Sequence, residues 1–255
     1  MPIEIKQFPC LSDNYGFLVR DSQTGKTACI DTPDATAINA VLDENGWSLD
    51  LILNTHHHPD HVGGNLALKE KWSCEIVGPS GEAARIPGLD RPVGDGHTVD
   101  LGVSRAAVLE TPGHTLGHII YHFEDDDVAF VGDTIFALGC GRLFEGTPAQ
   151  MWSSLSRIAD LPGKTKLYCA HEYTEANLDF ALSVEPDHGA LVDRGQTIRR
   201  TRADGQPTVP TTVSLELQTN PFLRAQDPTL QSYLGMTGAD PVDVFAEVRK
   251  RKDVF

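Results

Sequence analysis

Residues 55–61 read Thr-His-His-His-Pro-Asp-His, and no other stretch of the chain limits its possible folds so sharply. Imidazoles and a carboxylate crowded this closely are costly to bury unless a cation or a full set of hydrogen bonds satisfies them. The preceding apolar stretch, Leu49–Asn54, reads as a buried strand. If the chain leaves it still extended, His56 and His58 point to one side and His57 to the other. Pro59 suits the first turn of a helix, so Asp60 and His61 open a helix running toward Trp72. Gly63-Gly64 lets the backbone stay close to whatever the cluster binds. The spacing therefore predicts His56, His58, Asp60 and His61 as ligand-type side chains at the carboxyl end of a strand. Imidazole with carboxylate suits zinc, iron or manganese, and the lack of a thiolate argues against a structural zinc site of the finger kind. A histidine-rich surface turn is the plain alternative. A lone His-x-His would favour it; the full run after an apolar strand favours metal.

Four ligands from one loop cannot surround two metals. Three more strand ends carry a ligand-type side chain: His114 in Thr-Pro-Gly-His-Thr after Ala106–Leu109, Asp133 in Val-Gly-Asp-Thr after Val128–Val131, and His171 in Cys-Ala-His-Glu after Leu167–Tyr168. Each follows one grammar, a short apolar strand, a small residue, then a donor. Singly, such a residue reads as a satisfied surface side chain; together with the first cluster they form a set.

Up to about residue 170 the chain reads as short strands punctuated by turns, with a few helices: strands at 3–8, 17–20, 27–30, 75–78, 106–109, 119–123, 128–131 and 165–168, and a helix capped by Asp34 and ended by Gly46. Such mixing predicts a layered α/β body with a mixed sheet. The acidic run Glu124–Asp127 reads as a solvated hairpin turn. Beyond Tyr173 helical patterns dominate, at 174–184, 189–202, 229–234 and 242–251. The predicted division is a mixed α/β domain over 1–172 and a smaller helical domain over 173–255.

Composition removes several classes of function. With 40% hydrophobic and 22% charged residues the chain can bury a sizeable core. Its net charge of −15 argues against nucleic acid or an anionic membrane as partner, since both need a basic footprint. No run approaches the length of a membrane span, and the opening residues carry no secretory pattern. The five cysteines, Cys10, Cys29, Cys74, Cys140 and Cys169, are scattered and never in a Cys-x-x-Cys pair. They read as reduced thiols of a cytoplasmic protein.

With THHHPDHVGGN, TPGHTLGHI, FVGDTIF, GCGRLFEGT, HEYT and the terminal VRKRKD assembled, the sequence resembles the metallo-β-lactamase superfamily, and within it the glyoxalase II branch, the hydroxyacylglutathione hydrolases. The resemblance spans essentially the whole chain. It implies an αββα sandwich with mixed sheets, two divalent metals at one edge, zinc first with iron or manganese as alternatives, and a smaller C-terminal helical domain. By position, His56, His58 and His114 would hold one metal, Asp60, His61 and His171 the other, and Asp133 would bridge them. The resemblance makes Asp60 and Asp133 the catalytic carboxylates of this set. Water between two divalent metals loses its proton near neutral pH, and the resulting bridging hydroxide attacks a thioester carbonyl. The implied substrate is S-D-lactoylglutathione, giving D-lactate and glutathione in the second step of methylglyoxal detoxification. A small-molecule substrate and a monomeric chain are the expected partners and state.

The same resemblance carries Arg249 and Lys252 to a glutathione carboxylate, and their spacing puts both on one helix face. Taken alone, the run Arg249-Lys250-Arg251-Lys252 reads as a solvated helix end. Arg142, Phe144 and Tyr173 match further substrate contacts, with two departures: Arg142 stands where lysine is commoner, and Phe144 where a tyrosine hydroxyl commonly binds. The missing hydrogen bond would weaken glutathione binding by about 1 kcal/mol. His57 and His118 read as supporting or packed residues, Asp31 as a partner for a ligand imidazole, and Cys140 as a bystander. His97, His122 and His188 read as surface. Other readings are a lactonase, a persulfide dioxygenase or a nuclease on the same scaffold, or a metal-binding protein without catalysis. The acidic balance weighs against the nuclease.

Overall fold

A computed structural model describes residues 3–255; Met1 and Pro2 lie outside it. The chain forms two compact units. One runs to Glu110 and resumes over Leu116–Gly132; the other takes Thr111–Thr115 and Asp133–Phe255.

The first unit opens with an antiparallel hairpin of β1 (Ile3–Cys10) and β2 (Asn14–Asp21), in register from Ile3 opposite Asp21 to Cys10 opposite Asn14. β3 (Thr27–Ile30) adds antiparallel to β2. Helix α1 (Ala35–Asn45) then crosses over to β4 (Leu51–Leu53), which pairs parallel to β3. Its start and stop lie where the sequence puts them: Asp34 accepts from the Thr36 and Ala37 amides, and Gly46 turns left-handed at φ 64°. Helices α2 (Pro59–Val62) and α3 (Asn65–Trp72) lead to β5 (Glu75–Pro79), a 3₁₀ turn over Ser80–Arg85, and β6 (Arg91–Val93). The sheet order β1-β2-β3-β4-β5-β6 is therefore mixed, antiparallel at first and parallel afterwards.

One long helix from Pro59 to Trp72 does not form. The His61 carbonyl accepts from the Thr32 amide at 2.8 Å, and the Gly64 amide donates to the Thr32 carbonyl at 2.8 Å. Those two groups serve a neighbouring segment, so the helical ladder breaks between α2 and α3. A Cβ on Gly64 would stand 3.0 Å from the Thr32 carbonyl oxygen, and the contact needs glycine.

The strands β7 (Thr98–Leu101), β8 (Ser104–Glu110), β9 (Ile119–Phe123) and β10 (Val128–Gly132) follow as an antiparallel succession. The acidic run turns the chain between the last two, as expected. They meet the first sheet through Phe17 and Phe130, whose ring centroids are 5.6 Å apart, and through Tyr121, whose hydroxyl donates to the Asn54 carbonyl at 2.9 Å. On the far face of the first sheet, Leu18, Ile52 and Ile76 pack with Ile38 and Leu42 of α1 and Leu68 of α3. All are completely buried, each worth about 1.5–3 kcal/mol against exposure. His122, read as surface, lies inside β9 and is buried.

The second unit carries a short hairpin of β11 (Ile135–Phe136) and β12 (Gly139–Cys140), helix α4 (Pro148–Ala159), and β13 (Lys166–Cys169). Helices α5 (Thr174–Val184) and α6 (Gly189–Ala203) follow, then β14 (Thr211–Thr212) antiparallel to β13, and α7 (Val213–Thr219), α8 (Pro228–Leu234) and α9 (Pro241–Asp253). His188 is no idle surface residue: its ring caps α6 by accepting from the Leu191 amide at 3.1 Å. Buried Arg224–Glu185 and Arg194–Glu216 pairs tie the helices together. All five cysteines are free and buried, and burial pushes the Cys10 and Cys169 thiols up to about 12. Among the described residues no helix is long and apolar enough to cross a membrane.

Asp21 ties the end of β2 to the β7–β8 turn, accepting from Thr24 and from the Ser104 amide and hydroxyl. Burial alone would raise its pKa; the hydrogen bonds outweigh burial and lower it from 3.8 to about 2. A folded-state pKa below the unfolded one stabilises the protein above the unfolded value, and that contribution is lost as pH falls through the folded one. Urea midpoints should therefore fall between about pH 4 and pH 2. Asp21→Asn should be less stable than the parent at pH 7 and lose less between those two pH values; an identical acid limb in both proteins would contradict this assignment.

Candidate metal centre

In the first unit the donors hang from the carboxyl end of β4. Asn54 and Thr55, both buried, carry the chain from the strand into the histidine run. Asn54 pins the loop by donating to the His61 carbonyl at 3.0 Å and accepting from Asn65 at 2.8 Å. His58 is the N-cap residue of α2, still extended at φ −60° and ψ 146°, and Pro59 occupies the first turn as expected.

Asp31 fixes the orientation of two imidazoles. It sits in a left-handed turn after β3 at φ 54°. One carboxylate oxygen accepts from the Thr55 amide at 2.7 Å. The other takes the Thr55 hydroxyl at 2.8 Å and His61 Nδ1 at 2.7 Å. A carboxylate there accepts only, so His61 carries its proton on Nδ1 and presents Nε2 as the basic nitrogen. The Thr55 hydroxyl spends its hydrogen on Asp31 and therefore accepts from His56 Nδ1 at 3.0 Å. His56 Nε2 is then its lone-pair nitrogen, and it lies 3.0 Å from His58 Nδ1. His61 Nε2 stands 3.5 Å from Asp60 Oδ2, which accepts from the Asn14 side-chain amide at 3.0 Å. The first unit thus assembles two donor pairs, His56 with His58 and Asp60 with His61.

The second unit assembles the other three. His114 donates from Nδ1 to the Arg142 carbonyl at 2.8 Å, which leaves Nε2 as the lone-pair nitrogen. That nitrogen lies 3.3 Å from Asp133 Oδ2, and His171 Nε2 lies 3.4 Å from Asp133 Oδ1. One buried carboxylate therefore turns a different oxygen toward each of two imidazoles, the disposition of a ligand shared by two cations. A Cβ on Gly141 would fall 2.0 Å from the Asp133 carbonyl oxygen, so the glycine-rich loop closes on this site only because residue 141 has no side chain. The His171 ring stacks on Tyr173 with centroids 4.7 Å apart and planes 3° off parallel. Phe144 is 62% exposed and presents its ring edge-on to His114.

The cations read as substrate contacts also lie in the second unit. Arg249 on α9 is buried over the Phe222 ring and donates to the Cys140 carbonyl at 3.0 Å and to Asp253 at 3.0 Å. It thereby holds the loop that carries Arg142. Lys252 Nζ donates to the Ala176 carbonyl at 2.9 Å. Its pKa is lowered, first by burial and then by the charges of Arg249 and Arg142, against the pull of Asp179. Lys252 thus feels the charge of both guanidinium groups. Cys140 is buried beside Arg249; burial raises its thiol to about 11, and the Arg249 charge offsets part of that rise.

Two residues escape the sequence reading. Asn14 on Asp60 has a faint cue in the dipeptide Asp13-Asn14, residue types that favour turns. Glu82, whose carboxylate receives His57 Nδ1 at 2.6 Å, has none. His57 turns to that acid, and His118 stacks on His56 with centroids 4.8 Å apart.

Asp31→Asn would place an amide against a ring N–H and weaken the hold on His61. Apparent zinc affinity, read by competition with a chromophoric chelator, should fall about 10- to 100-fold. An unchanged affinity would remove Asp31 from the centre.

The description Metallo-beta-lactamase superfamily matches residues 14–171, and Hydroxyacylglutathione hydrolase C-terminus matches residues 172–255. The chain is 55% identical over 251 residues to the hydroxyacylglutathione hydrolase of Maricaulis maris (strain MCS10), covering 98% of both proteins. It is 54% identical over 255 residues to that of Chelativorans sp. (strain BNC1), covering 100% of both. The crystal structure of ETHE1 from Myxococcus xanthus shares the fold, with a TM-score of 0.67 at 24% identity, over 98% of this chain and 99% of that one. The α/β architecture with its mixed sheet is therefore the metallo-β-lactamase fold, and the chain belongs to the hydroxyacylglutathione hydrolase family of thioester hydrolases.

Proposed function

We propose that this chain hydrolyses S-D-lactoylglutathione and related 2-hydroxyacyl-glutathione thioesters to the hydroxy acid and glutathione, using two divalent ions, zinc in the first instance. His56, His58 and His114 would hold one ion, Asp60, His61 and His171 the other, with Asp133 shared. The observation that carries this reading is the Asp133 carboxylate, with oxygens 3.3 Å from His114 Nε2 and 3.4 Å from His171 Nε2. The donor set fits within each unit: His56 stands with His58, Asp60 with His61, and Asp133 with His114 and His171. It is all imidazole and carboxylate, which zinc, iron and manganese accept. When bound, the ions supply a water acidified to near neutral pH and an electrophile for the thioester carbonyl.

The protein's own groups do the rest. Asp31, Thr55 and the Arg142 carbonyl each engage the Nδ1 of a ring and leave its Nε2 as the lone-pair nitrogen. Arg142, Arg249 and Lys252 form a positive corner for a glutathione carboxylate on a chain of net charge −15. Tyr173 and Phe144 offer an aromatic wall beside His171 and His114. Phe144 contributes contact without a hydroxyl, so affinity for the glutathione moiety is lower by about 1 kcal/mol than a tyrosine would give. The departing thiolate comes from a thiol of pKa about 8.5 and needs little proton donation, and no extra acid is required in the site. Residues 1–172 act as the catalytic domain and 173–255 as the substrate-binding domain of a monomeric cytoplasmic enzyme, a setting its free cysteines suit.

Metal analysis of purified protein should give close to two ions per chain, and a single ion would defeat the shared role of Asp133. Hydrolysis of lactoylglutathione should exceed that of thioesters lacking glutathione; equal rates on both would overturn the substrate assignment. Arg142→Ala and Lys252→Ala should raise KM with kcat nearly unchanged, since they act far from the reacting bond. A collapse of kcat at constant KM would move the carboxylate site elsewhere.

A further inference from the structure

We propose that Glu82 is a positioning residue for the metal centre: its buried carboxylate clamps the loop between His56 and His58 to the turn that precedes β9. The inference rests on the metal reading above.

Glu82 lies in the 3₁₀ turn after β5 and is 3% exposed. Its Oε2 accepts from the His57 backbone amide at 2.8 Å and from His57 Nδ1 at 2.6 Å. Its Oε1 accepts from the Gly117 amide at 3.0 Å. Three donors on one buried carboxylate join two segments that the chain holds 35 residues from Glu82 on one side and 25 on the other.

The consequence for the ligands is geometric. His57 alternates with His56 and His58, so fixing its peptide and its ring on the Glu82 side turns the flanking side chains to the opposite one. The Gly117 bond sets the position of the next residue, His118, whose ring stacks against the back of His56. His118 is itself closely confined: a Cβ on Gly132 would fall 2.7 Å from its Nε2. Glu82 thus acts on His56 twice, through the neighbouring peptide and through the stacked ring.

The fit is tight from the other side as well. A Cβ on Gly117 would fall 2.5 Å from Glu82 Cγ, so any side chain there displaces the carboxylate. Residue 117 has no left-handed backbone that would by itself demand glycine, so Gly117→Ala tests the close approach and not backbone strain. Two substitutions in different segments therefore break one clamp by different routes.

The test is cobalt(II) titration of the metal-free full-length protein, read from the visible bands, with urea unfolding of the metal-free forms in parallel. Glu82→Gln keeps the volume but sets an amide donor against an N–H donor. Both Glu82→Gln and Gly117→Ala should bind cobalt at least tenfold more weakly than the parent, with shifted visible bands, while the metal-free urea midpoint moves little. Parent-like affinity and bands in both variants would overturn the clamp and leave the metal reading intact. Weaker binding with unchanged bands and an equal loss of metal-free stability would also overturn it, since that is a folding defect. If Glu82→Gln does not fold, the Gly117→Ala result decides. A parent protein that bound no cobalt would overturn the metal reading, and the clamp with it.

Discussion

The Asp31 carboxylate is the point from which the first unit's histidine run is oriented. It stands in a left-handed turn at the end of β3, where it takes the Thr55 amide, the Thr55 hydroxyl and His61 Nδ1. Those bonds settle which nitrogen of His61 and of His56 carries a lone pair. In a buried, weakly screened setting such bonds are strong, and leaving any of the groups unpaired would be expensive. The parallel pairing of β3 with β4 brings Asp31 beside Thr55, so the sheet register and the ligand geometry are one constraint.

The same economy recurs wherever a ligand ring is held. His114 is oriented by the Arg142 carbonyl, and the loop carrying Arg142 is held by Arg249 through the Cys140 carbonyl. The basic run at the C-terminus therefore does not act as one patch. Arg249 is buried against Phe222 and braces a loop, Lys252 lies against the Phe180 and Phe255 rings, Arg251 pairs with Glu247, and Lys250 is exposed. Consecutive cations on a helix turn to different sides, only Arg249 and Lys252 sharing a face, and their neighbours give each a separate task. A chain of net charge −15 thus still gathers cations locally, each held by its own neighbours.

Features carried by short stretches were readable in advance. The donors at strand ends, the Asp34 and Gly46 caps of α1 and the turn at Glu124–Asp127 all depend on residues a few positions apart. Helix α4 carries local signals too: Thr147 and Gln150 form a capping box, and Met151, Leu155 and Ile158 recur at helical spacing. Other features have no local signal. The break between α2 and α3 comes from Thr32, whose backbone takes the groups that would have continued the helix. His122 is buried because strands flank β9 on both sides.

The amino-acid sequence alone determines the donors, their order and the strands that deliver them, because apolar period, turn chemistry and ligand type are written within windows of ten residues or fewer. It does not determine which nitrogen each imidazole offers. That depends on partners brought in from afar, Asp31 lying 24 residues from Thr55 and 30 from His61, and Arg142 lying 28 from His114. A carboxylate carries no pattern that names its eventual donor. The folded sheet supplies the proximity, and the cost of an unpaired polar group in a dry interior fixes the pairing.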